Sequence, residues 1–65
     1  MKIKVNGELH NFNGGTVNQL LREMKVSPDF VAVALNRKIV HRHERDCIDL
    51  EDGDVLELVK AAPGG

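Results

Sequence analysis

Tryptophan and tyrosine are absent from this 65-residue chain, and phenylalanine occurs only twice. The core must therefore be aliphatic, helped by Phe12 and Phe30. A chain this short gains only about 3–5 kcal/mol of net stability from its core. A substrate-sized pocket would remove much of that, so the size argues against a self-contained enzyme and for a carrier or binding module. The single cysteine, Cys47, excludes an internal disulfide. No apolar run approaches the roughly 20 residues that span a bilayer. No charged-then-apolar segment opens the chain, and the expectation is a cytoplasmic protein. Nine Lys and Arg against ten Asp and Glu leave a net charge of −1, with no basic patch carrying aromatics. Neither nucleic acid nor a membrane is an expected partner.

What is present is strongly patterned. Met1-Lys2-Ile3-Lys4-Val5 alternates apolar and charged residues, the pattern of a half-buried strand. Asn6-Gly7 is a hairpin signal, with Leu9 to Phe12 returning antiparallel. Thr16-Val17-Asn18-Gln19 fits a capping box. Val17, Leu20, Leu21 and Met24 then line one helix face, and Ser27-Pro28-Asp29 closes the helical region. Phe30 to Leu35 is a continuous apolar run, predicted to be a central strand covered on both faces. Asn36-Arg37-Lys38 turns the chain into a short strand, Ile39-Val40, near an edge. His41 to Asp46 is polar and irregular, with room for one helical turn, and Leu50 plugs the core. Glu51-Asp52-Gly53-Asp54 is a tight turn before the last strand, Val55 to Lys60.

Strand, strand, helix, strand, short strand, strand is the order of an α+β roll. A mixed sheet of about five strands packs on one helix, with the first and last strands parallel in the centre. That is a β-grasp, ubiquitin-like arrangement over residues 1–60. Residues 61–65 then form a flexible tail ending in Ala62-Pro63-Gly64-Gly65. Glycine lets a backbone pass through a slot that a side chain would block. Such a tail suits a terminal carboxylate that another protein's active site must thread and modify. A frayed end or a cloning scar is the plainer reading of the two glycines.

The chain resembles the small sulfur-carrier proteins of the ThiS/MoaD type, and most of all the ThiS carriers. The matching stretches are Met1 to Gly7, Gly15-Thr16-Val17 with Leu20-Leu21, Val33-Ala34-Leu35-Asn36 with Ile39-Val40, Asp52-Gly53-Asp54, and Gly64-Gly65. They run through nearly the whole chain in order. Arg37 departs from the small residue common in that turn, and Pro63 removes a backbone N–H just before the glycines. The resemblance implies a protein cosubstrate of thiamine (thiazole) biosynthesis that is not itself an enzyme. Gly65 would be adenylated by a ThiF-type adenylyltransferase, converted to a thiocarboxylate with sulfur from a donor such as a cysteine desulfurase, and used by a ThiG-type thiazole synthase. Gly64 would provide access. The chain itself would hold no cofactor and no metal, ATP belonging to the activating partner. Other readings stay open: a MoaD-like small subunit of molybdopterin synthase, a carrier for another sulfur metabolite, or a non-covalent β-grasp interaction module.

The remaining polar features have simpler readings. His41 and His43 offer two metal ligands without a third. Cys47 lacks an activating motif, and a lone cysteine reads as a small buried apolar group. The acidic residues of Glu51 to Asp54 serve turn geometry, with a possible second use as an acidic face toward a basic partner. For docking, strand parity places Val59 opposite to Leu56 and Leu58, away from the helix-covered core. Ile39 is expected to join it in an exposed apolar patch, with Val5 as a further candidate.

Overall fold

Lys2–Val5 (β1) and Glu8–Asn11 (β2) pair antiparallel around Asn6-Gly7. Both turn residues have positive φ, 51° and 84°. That two-residue turn matches the twist of the strands it joins. The computed structural model describes residues 1–60. The expected tail, residues 61–65, lies outside them.

The helix, Val17–Glu23 (α1), starts at Thr16 as its capping box requires. Gln19 N–H donates to Thr16 Oγ1 at 3.3 Å, and Thr16 N–H donates to Gln19 Oε1 at 2.7 Å. Gly15 makes room for this: a Cβ there would overlap the Gln19 side chain, 2.8 Å from its Cδ. The helix stops earlier than Pro28 would demand. Lys25 N–H donates to Arg22 C=O at 3.1 Å, and Val26 N–H donates to Leu21 C=O at 3.0 Å. These are the two bonds of a Schellman cap, with Lys25 at φ 58° where glycine is usual.

Pro28–Phe30 forms one 3-10 turn, so the next strand, Val31–Leu35 (β3), begins one residue later than predicted. Phe30 is consequently 46% exposed and does not join the core, whereas Phe12 does. The expectation that β3 is covered on both faces also fails. Val31 and Val33 are buried, but Ala32 is exposed and Ala34 only partly covered. Both faces of the strand are apolar because the outer positions are alanines, so the run concealed an alternation. Lys38–Val40 (β4) and Val55–Lys60 (β5) complete a sheet in the order β2-β1-β5-β3-β4. β1 runs parallel to β5, and β3 is antiparallel to both β5 and β4. This is the expected mixed sheet with one helix.

Ile3, Val5, Val31, Val33, Val40 and Leu56 meet Val17, Leu20 and Leu21 of α1, with Phe12 and Leu50 closing the sides. Leu50 fills the place expected of it. Between β4 and Leu50 the chain makes a 3-10 turn, Arg42–Glu44. Cys47 follows it and is exposed, contrary to the buried reading. It is Ile48, one residue later, that packs against the core. No helix among the described residues is long and apolar enough to cross a membrane.

Arg45 is the one buried charged residue among those described, 4% exposed. Its Nη1 donates to Pro28 C=O at 2.8 Å and its Nη2 to Val31 C=O at 2.7 Å, while its own C=O accepts the Asn18 N–H at 3.1 Å. It therefore ties the first turn of α1 to the start of β3. Losing both bonds leaves a buried carbonyl unpaired, which outweighs the relief of uncovering a charge. Arg45→Met is expected to cost about 1–3 kcal/mol, read as a lower urea midpoint at unchanged slope. No change would show that water replaces the guanidinium.

Arg37 sits at φ 69° in the β3–β4 turn, beside Asn36 at 51°. An L-residue with a bulky side chain pays about 1–2 kcal/mol there that glycine avoids. Arg37→Gly is expected to stabilise the fold by about 1 kcal/mol, a rise in Tm of roughly 4–8 °C. A lower Tm would show that the arginine side chain offsets the strain.

Candidate functional site

The outer face of the sheet has no helix on it among the described residues. Register sets its composition. Ala34 faces Ile39 on one side and Glu57 on the other, and Ala32 faces Val59. Ile39 and Val59 are 67% and 63% exposed. They lie diagonally across β3, roughly 12 Å apart from strand spacing and rise. The two alanines between them keep the surface flat. Leu9 and Val55 extend the apolar character toward β2, on either side of Lys4. Charge is confined to Lys2, Lys4 and Glu57 within this face.

Val5 does not belong to it. It is 2% exposed and packs in the core. Alternation in β1 sends Lys2 and Lys4 outward, so Ile3 and Val5 must point at α1. The patch is therefore formed by Val59, where parity places it, and Ile39, without Val5.

β5 carries the chain to the two glycines. Gly64 and Gly65 lie outside the described residues, so the described site is the strand that leads to them. Leu56 is fully buried and Leu58 partly so, on the inner face. Val55, Glu57 and Val59 face outward. Two asparagine side chains bond the backbone of this strand. Asn36 Oδ1 accepts the Val55 N–H at 3.0 Å, and Asn6 Oδ1 accepts the Leu58 N–H at 2.8 Å. Asn6 Nδ2 also donates to Leu58 C=O at 3.2 Å. Sequence reasoning saw Asn6 and Asn36 only as turn residues. A hairpin signal says what the backbone does, not where the side chain goes.

The acidic turn has the structural role expected of it. Asp52 Oδ1 accepts the Lys2 N–H at 2.6 Å, and Asp54 Oδ2 accepts the Glu51 N–H at 2.7 Å. Asp54 Oδ1 accepts from Asn36 Nδ2 at 3.0 Å. The His41 and His43 rings stack with centroids 5.9 Å apart, their planes nearly parallel at 7°. Between them Arg42 reaches out to Asp29, in an exposed ion pair of 2.7 Å.

This chain matches the ThiS family over residues 3–65. It is 39% identical to the sulfur carrier protein ThiS of Thermus thermophilus, over 94% of this chain and 95% of that protein. It is also 41% identical, along its whole length, to part of a thiazole synthase from Paramagnetospirillum magneticum. The chain spans only 20% of the length of the thiazole synthases it matches. In three dimensions it superposes on the crystal structure of the thiamine biosynthesis protein ThiS from Geobacter metallireducens with a TM-score of 0.86, at 30% identity and complete coverage of both chains. Sequence over nearly its full length and fold therefore agree, and the chain belongs to the ThiS family.

Proposed function

We propose that this chain is a sulfur carrier of thiamine biosynthesis whose reactive group is the carboxylate of Gly65. The observation that carries the reading is the Gly64-Gly65 sequence, separated from the end of β5 by three residues, in a chain similar over nearly its whole length to a ThiS carrier. A carboxylate is a poor electrophile. Its oxygen attacks the α-phosphorus of ATP on a ThiF-type adenylyltransferase, pyrophosphate leaves, and the acyl adenylate has AMP as leaving group. The terminal sulfur of a persulfide on a donor such as a cysteine desulfurase then displaces AMP, giving an acyl disulfide. A thiol attacks the donor's sulfur, forms a disulfide with it, and releases the thiocarboxylate on Gly65. Its sulfur is delivered to a thiazole synthase. The likeness to a stretch of a larger thiazole synthase supports that acceptor. ATP and the catalytic groups belong to the partners, and this chain is their cosubstrate.

The outer face supplies the docking surface. Val59 is one residue from the end of β5. Six residues from Val59 to Gly65 reach at most about 20–22 Å. A partner that holds the Val59 and Ile39 patch must therefore keep its reacting centre within that radius. Val59→Asp is expected to weaken binding to the activating enzyme by about 10-fold or more, by placing a charge in a contact that excludes water. Stability should change by no more than about 0.5 kcal/mol, because the side chain is exposed. Calorimetric titration of both carriers checks this, and equal affinities would move the docking surface elsewhere.

Deleting Gly65 should abolish thiocarboxylate formation, seen by intact mass as loss of the gain of about 16 Da that sulfur-for-oxygen exchange produces. Gly64→Ala should slow it on the order of 10²-fold, since a methyl group beside the reacting carbonyl displaces it by about 1 Å. His43→Ala and Cys47→Ser should leave the gain intact. Persistence of the gain without Gly65, or its disappearance with Cys47→Ser alone, would sink the carrier reading.

A further inference from the structure

β5 is bonded at each end by an asparagine side chain. Both asparagines occupy the first position of a two-residue hairpin turn, and both have φ of 51°. Asn36 serves the beginning of the strand, accepting from the Val55 N–H and donating to Asp54 Oδ1, each at 3.0 Å. Asn6 serves its end. Its amide takes both the N–H and the C=O of Leu58, at 2.8 and 3.2 Å.

The Asn6 amide supplies what a neighbouring strand would. β1 registers with β5 only through Lys4 opposite Val55 and Val5 opposite Leu56. The last backbone rung is the Asn6 N–H donating to Leu56 C=O at 3.0 Å. The main chain then turns away through Gly7 toward β2. A planar amide carries one donor and one acceptor in the spacing of a peptide unit. It therefore extends the parallel ladder by one rung, to Leu58. Without it, β5 beyond Leu56 would be hydrogen-bonded only on the β3 side. Two-stranded ribbons twist more than strands held on both sides. Extra twist over those last residues would swing the point from which residues 61–65 depart.

We infer that Asn6 is a positioning residue for the carrier chemistry: its side-chain amide holds the end of β5 and so sets where Gly64-Gly65 is presented. The inference rests on the carrier reading above. Asn6 touches no reacting atom and acts through Leu58. Asn36 makes the same kind of bond at the far end of the same strand and provides a matched control.

Glycine isolates the amide in both cases. At φ 51° glycine is unstrained, so Asn6→Gly and Asn36→Gly keep their turns and lose only the side-chain bonds. Deuterium exchange of the Leu58 amide should accelerate by about 10-fold or more in Asn6→Gly and stay near its original rate in Asn36→Gly. In carrier-dependent ATP–pyrophosphate exchange on a ThiF-type enzyme, Asn6→Gly should lower kcat by about 10-fold with KM within about two-fold. The Val59 patch still docks while its tail starts from the wrong place. Asn36→Gly should keep both constants within about two-fold. Asn6→Asp retains the acceptor for the Leu58 N–H but not the donor, and its kcat should fall between those of the original chain and Asn6→Gly. Equal kcat in the two glycine variants overturns the positioning role, as does an unchanged Leu58 exchange rate. If the unaltered chain supports no pyrophosphate exchange at all, the carrier reading itself fails and the inference falls with it.

Discussion

The parallel contact between β1 and β5 is the constraint on which the rest of the molecule depends. It joins residues about fifty positions apart and places β5 in the middle of the sheet. Its backbone register is short, and parallel pairs gain slightly less per residue than antiparallel ones. Side chains and turns complete it. Gly53 N–H donates to Lys2 C=O at 2.7 Å and Lys4 N–H to Asp54 C=O at 2.9 Å. Asp52 captures the Lys2 N–H, and Asn6 captures Leu58. The Asp52-Gly53-Asp54 turn is thus the start of the β1–β5 seam as well as the entry to β5. A register slip by one residue would exchange Leu56 for Val55 and turn the core face outward. These locks prevent it.

With a single helix, only one side of the sheet can be covered. The core takes the inner positions of four strands, β1, β3, β4 and β5, and leaves the outer ones to other uses. On β1 those positions are lysines, which also discourage unwanted association. On β3 they are alanines, on β4 Ile39, and on β5 Val55, Glu57 and Val59. The patch therefore sits beside the end of the strand that leads to the glycines, with Glu57 next to it on the same strand. On so small a domain we propose such a patch as the contact surface. In that reading its place on β5 couples docking to delivery.

Much of this was legible in the residues. Lys-Ile-Lys-Val, Asn-Gly and the capping box each state a backbone geometry through local chemistry, and each element forms where its signal lies. Val59 was legible because period-two alternation is a property of the strand alone, and Ile39 was expected to join it from its short strand. Val5 followed the same rule, and its burial was already implied by Lys2 and Lys4. The features that escaped depend on distant partners. Arg45 lies in a polar stretch and becomes buried only because Pro28 and Val31 turn their carbonyls toward it. The second role of Asn6 needs Leu58, fifty-two positions away. The Schellman cap at Lys25 lacked its glycine, so the nearer proline drew the helix boundary too far. Phe30 read as core by composition, but Pro28 imposes a turn that swings it outward.

A domain with a few kcal/mol of stability has little to spare for strained or uncovered catalytic groups. β5 meets that limit by dividing its work among directions. Leu56 and Leu58 point inward and hold the strand to α1. Val59 points outward, where a polar substitution leaves the core untouched. The backbone bonds sideways, to β3 along one edge and to Asn6 along the other. Changes in the three directions should consequently have separable effects: inward ones on folding, outward ones on affinity, sideways ones on the geometry of delivery. The chemistry proposed for Gly65 calls on none of the three. In the proposed reading the reaction is left to larger partners and the carrier remains small, its fold bringing one strand's end to a defined place.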